Sequence, residues 1–171
     1  MFNDWGVDAK TAAFAGSVVG FGVLVGRVGC GYFLDRYFGP HVATLVTVLA
    51  ACGIGLLWIG NRDLGMAGAL LLGLGFGCEV HIMAYLITRY FGLRSFGLAF
   101  GFGFGLFVMA AGVGPAIMGM GFDYTRSYRA PLAAFFAATL IAAFMVYHLG
   151  PFWYESGRIS EQSSAAPAPQ P

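Results

Sequence analysis

The stretch GCEVHIMAYLITRYFG, residues 77–92, sets a carboxylate and an imidazole two positions apart, Glu79 and His81, in otherwise apolar surroundings. Both groups exchange protons, so inside a membrane they could couple proton movement to the passage of a charged solute. On a helix, two residues subtend ~200°, so the pair cannot converge on one ligand. His81 shares its side with Gly77, Tyr85 and Thr88, a small and polar stripe, whereas Glu79 shares its side with Leu72, Gly75, Met83 and Leu86. His81 and Tyr85 are therefore expected to face a cavity, and Glu79 to lie nearer a neighbouring helix. Two uses stay open for Glu79: a hydrogen bond to that neighbour, or proton and substrate coupling. His81 reads either as a packed core histidine or as part of a cavity wall. Arg27 is a further charge inside an apolar run. It could attract an anionic substrate, or reach back to the interface and pair with Asp35.

Other chemistries find no support. Cys30, Cys52 and Cys78 are far apart in the sequence and form neither a CxxC nor a Cys/His spacing, so they read as small packing residues rather than as a metal or redox centre. His41, His81 and His148 fall on different apolar segments, and no Ser/His or HExxH arrangement occurs. No enzyme, metal or cofactor is expected. The nine cations are scattered singly and the net charge is +1, which leaves no basic face for nucleic acid.

The elements that must position these residues are membrane spans. Of 171 residues, 58% are hydrophobic and 10% charged, with a mean hydropathy of +0.76, well beyond a soluble domain. A bilayer core requires ~20 apolar residues of helix, and about five such runs occur. The first runs from Thr11 to Asp35 and Arg36, and the second from Val42, after Pro40, to Asn61. The third runs from Leu64 to Thr88, the fourth from Ser95 to Phe122, and the fifth from Pro131 to Trp153. Residues 1–10 read as a loop with no secretory signal, 11–154 as one membrane domain, and 155–171, polar and proline-rich, as a disordered tail.

Glycines recur at spacing four: Gly16 and Gly20, Gly22 and Gly26, Gly73 and Gly77, and Gly97, Gly101 and Gly105. Between lipid-embedded helices such stripes let backbones approach, either for static packing or for sliding. Pro115, inside the fourth run, is an expected kink point because it removes an intrahelical hydrogen bond.

In GRVGCGYFLDRYFGP, residues 26–40, Gly31 would allow close helix contact, Asp35 could cap a neighbouring helix, and Arg36 would stay at the anionic lipid surface. Gly31, Asp35, Arg36 and Gly39 resemble the loop signature of the major facilitator superfamily, found after the second helix and more weakly after the eighth. RYFGLRSFGLAFG, residues 89–101, is similar to the hairpin before the eleventh helix in the oxalate/formate-antiporter and monocarboxylate-porter branch, through Phe91, Gly92, Arg94, Gly97 and Gly101. GPAIMGMGFDYTRSY, residues 114–128, resembles the end of that eleventh helix.

The resemblance implies an all-α, polytopic transmembrane bundle equivalent to helices eight to twelve of a twelve-helix carrier, with the Arg36 and Arg94 hairpins and the 155–171 tail in the cytoplasm and the 1–10 loop extracytoplasmic. It also implies a multi-pass protein of the cell membrane that carries small organic anions, with the lipid bilayer, that substrate and the missing N-terminal half as partners. In the superfamily the path is lined largely by helices one, four, seven and ten, of which only the tenth, the third span here, would be present. The fragment alone is then expected to be inactive. A rival reading is a non-transporting membrane subunit that packs against a separately encoded half.

Overall fold

The structure, a computed structural model, describes residues 9–59 and 62–152. Helix α1 spans Ala9–Arg36, α2 Gly39–Ile59, α3 Arg62–Phe91, α4 Phe96–Thr125 and α5 Arg129–Tyr147, with one short 3-10 turn at Leu93–Ser95 before α4. All five are long and apolar enough to cross a membrane. The all-α bundle with five spans thus stands as expected. Residues 1–8 of the expected loop and the tail at 155–171 lie outside the described residues.

Several boundaries differ from the sequence expectation for local reasons. Helix α2 starts at Gly39 rather than Val42, because a proline in the first turn gives up an N–H that has no helical partner anyway. Helix α5 stops at Tyr147 rather than at Trp153. The chain leaves the helix at Leu149 and Gly150, and Pro151 cannot continue it. The turn into α4 uses Gly92 at φ 73°, a backbone state open to glycine at no steric cost. Arg126 takes a left-handed conformation, and its N–H donates to the Phe122 carbonyl at 2.7 Å, closing α4.

Packing is uneven. Helix α1 lies against α3, α3 also against α2, and α2 against α5; α1 and α2 barely meet. Cys30, Leu34, Val42, Ala43, Cys78 and Ile82 form the buried cluster where α1, α2 and α3 converge. No residue of α4 is buried. It touches α3 through Phe76 and Phe107, 6.1 Å between centroids, and α5 where Gly121 meets Pro131. Along its own surface Phe96, Phe100, Phe104 and Phe107 stack at centroid separations of 5.2, 5.7 and 5.8 Å.

The α1–α3 contact is backbone on backbone. A Cβ on Gly22 would meet the Leu70 carbonyl oxygen at 2.8 Å, and one on Gly26 would collide with that of Leu74. Reciprocally, Gly73 and Gly77 of α3 press on the carbonyls of Val19 and Val23. Lipid supplies no hydrophobic drive between helices, so such close van der Waals contact is what holds them together. Threonine hydroxyls follow the same economy. Thr44, Thr47 and Thr139 each donate at 2.8 Å to the carbonyl four residues back, which satisfies them without another helix.

Candidate functional site

Glu79 stands midway along α3, one turn from Gly75 and one from Met83. Gly75 faces Ala50 of α2, and Met83 lies against Gly103 of α4, Sδ 3.3 Å from where a Cβ would stand. Glu79 is exposed, on the α3 surface between the α2 and α4 contacts, and makes no hydrogen bond or ion pair among the described residues. Of the two uses left open by the sequence, the hydrogen bond to a neighbouring helix is therefore absent among the described residues. A carboxylate at that depth costs several kcal/mol in lipid unless it faces a cavity, pairs or is protonated.

His81 is also exposed. The stripe in which the sequence placed it divides among three surroundings. Gly77 is buried against Val23 of α1, and Tyr85 is packed at the end of the bundle, where its Cε1 lies 2.5 Å from a Cβ built on Gly39. Thr88 turns its hydroxyl to the Tyr85 carbonyl at 2.7 Å. His81 and Tyr85 thus do not share one wall. A helix that contacts two neighbours at different heights breaks up a stripe drawn on an isolated helical wheel.

Arg27 and Asp35 are both exposed, and no ion pair joins them. Arg36 instead lies over the ring of Tyr32, 5.0 Å from its centroid. Gly31 has open space where its side chain would be, so the close helix contact expected there falls one turn and more earlier, at Gly22 and Gly26. Gly39, by contrast, is buried under Tyr85. Gly97, Gly101 and Gly105 are open on the bare face of α4, and Gly16 and Gly20 are open on α1. Pro115 is exposed within the continuous α4.

One arrangement had only a faint sequence signal. At the end of the bundle that holds the α1–α2 and α3–α4 turns, Phe152 folds back onto Phe38, Tyr85 and Tyr90, at centroid distances of 4.6, 6.1 and 5.5 Å. Arg89 lies over both Tyr85 and Phe152, 5.1 and 5.7 Å from their centroids. The Tyr90 hydroxyl donates to the Gly150 carbonyl at 2.5 Å. The sequence did not reveal that these aromatic residues tie α2, α3 and the end of α5 together.

The family model of the Major Facilitator Superfamily matches residues 1–170. This chain belongs to that superfamily. It is a multi-pass integral membrane protein. It is similar to the 4-hydroxybenzoate transporter PcaK of Pseudomonas aeruginosa, with 28% identity over 154 residues, covering 82% of this chain and 34% of that transporter. The chain thus spans about a third of the length of the curated relative it matches. No solved structure matches it.

Proposed function

We propose that the chain forms part of a secondary carrier for small organic anions, in the manner of the oxalate/formate and monocarboxylate branch, with α1 to α5 as its last five helices. In this reading α3 borders the path and Glu79 is the coupling carboxylate. His81 and Arg27 are the further charge-bearing candidates, and Tyr85 acts by fixing the end of α3. The observation that carries the reading is Glu79 itself, an exposed carboxylate midway along a membrane-spanning helix and without a partner among the described residues. Intramembrane acids are costly and concentrate on ion and substrate pathways. The relative's name specifies an aromatic carboxylate as its cargo, which agrees with an anionic substrate. The hairpins at Arg36 and Arg94 then lie in the cytoplasm.

The test is uptake of labelled 4-hydroxybenzoate, a small monocarboxylate and a dicarboxylate into proteoliposomes. The chain is reconstituted alone and joined to seven preceding helices of a superfamily carrier. Uptake of at least one acid by the joined form, and none by the chain alone, is expected. Uptake only of sugars or cations by the joined form would overturn the organic-anion assignment.

A further inference from the structure

The two buried cysteines, forty-eight positions apart in the sequence, meet across the α1–α3 contact. The Cys78 thiol donates to the Gly26 carbonyl of α1 at 3.2 Å, and the Cys30 thiol points at the Cys78 carbonyl of α3 at 3.7 Å. Cys30 lies one turn beyond Gly26, and Cys78 directly follows Gly77, among the glycine contacts that press the two helices together. Each thiol thus reaches a carbonyl of the opposite helix, on backbones already in contact, the kind of approach a disulfide needs, whose Cα atoms must lie within about 7 Å. Both residues also line a cleft of about 520 Å³ between α1 and α2, walled by Val25, Gly29, Leu45 and Val46 among others. The thiols are thus closed to bulk solvent but border a space that a small neutral molecule dissolved in the membrane can enter. Cys52, the third thiol, is exposed on α2.

We propose that Cys30 and Cys78 form an oxidisable dithiol, closed by a neutral peroxide into a disulfide that fastens α1 to α3. One sulfur attacks the peroxide. An S–O bond forms, the O–O bond breaks, and water leaves with the thiol proton, giving a sulfenic acid. The second sulfur then attacks the first. The S–S bond forms, the S–O bond breaks, and the departing hydroxide takes the second thiol proton as water. The two sulfurs lose two electrons in all, and the peroxide gains them. The disulfide would hold the two helices at their present separation, so any relative movement of α1 and α3 would require its reduction.

The experiment treats the full chain in lipid vesicles with hydrogen peroxide, digests it without reductant, and identifies linked peptides by mass spectrometry. Expected is the loss of two of the three thiols, with Cys30 joined to Cys78 and the link reversed by dithiothreitol. Cys52→Ala should keep that link, and Cys30→Ser should abolish it. Three results would each overturn the proposal: retention of both buried thiols in the folded wild-type chain, oxidation confined to Cys52, or further oxidation of Cys30 and Cys78 without linkage. The wild-type measurement decides the matter even if a variant fails to fold.

Discussion

The ring of Tyr85 on α3 occupies the space in which a side chain at residue 39 would stand, its Cε1 only 2.5 Å from a Cβ built on Gly39. The last glycine of the Asp35-Arg36 hairpin is thereby explained. It lets the start of α2 lie close against an aromatic ring that Arg89 and Phe152 also contact. Gly39→Ala should destabilise the bundle by about 1–3 kcal/mol through overpacking. Thermal unfolding in detergent measures the loss, and Tyr85→Ala added to Gly39→Ala should recover part of it, because the two residues share one space.

The glycine stripes separate into those that pack and those that do not. Gly73→Ala and Gly77→Ala place a methyl against the Val19 and Val23 carbonyls, and backbone cannot step aside as a side chain can. Each should cost about 1–3 kcal/mol. Gly101→Ala meets nothing and should be neutral or gain up to about 1 kcal/mol from helix propensity. Equal effects at positions 77 and 101 would contradict the described α1–α3 contact.

Glu79 can be asked two questions with two substitutions. Glu79→Leu should leave the stability of the isolated chain unchanged or raised, since no partner is lost among the described residues and an acid is removed from lipid. Glu79→Gln in the joined carrier should flatten the pH dependence of uptake. Unaltered uptake across pH would take Glu79 out of the coupling role, and a clear loss of stability in the leucine variant would reveal a partner.

The fold-back at the end of α5 rests on a hydroxyl and a ring. Tyr90→Phe removes the hydrogen bond to Gly150 and should cost roughly 0.5–1.5 kcal/mol. Phe152→Ala removes the ring shared by Phe38, Tyr85 and Tyr90 and should cost more. Amide exchange at Leu149 and Gly150 should quicken in both variants while that of α1 stays unchanged.

Hydropathy located the five spans because span length is set by the bilayer, and the helices accordingly came out in order and number. Which faces meet was not legible, because lipid and helix interior are equally apolar and the residues carry little contrast between the two. Gly16 and Gly20 look like Gly22 and Gly26 in the sequence, yet only the latter pair touches another helix. The Arg27–Asp35 pairing is absent among the described residues, since eight residues of helix set the two about 12 Å apart along the axis. The meeting of Cys30 and Cys78 needed the α1–α3 register, which no local pattern encodes.

The bareness of α4 bears on how the chain comes apart. Stability in this bundle is vested in α1, α2, α3 and α5, whose buried residues lie among themselves, while α4 contributes none. The cooperative unit of unfolding is therefore discontinuous in sequence: three helices, an interlude of thirty residues, and a fourth that docks on the second. In polymer terms α4 acts as the closing loop of that unit, tethered to it at Phe107, Gly103 and Gly121 and otherwise left to lipid.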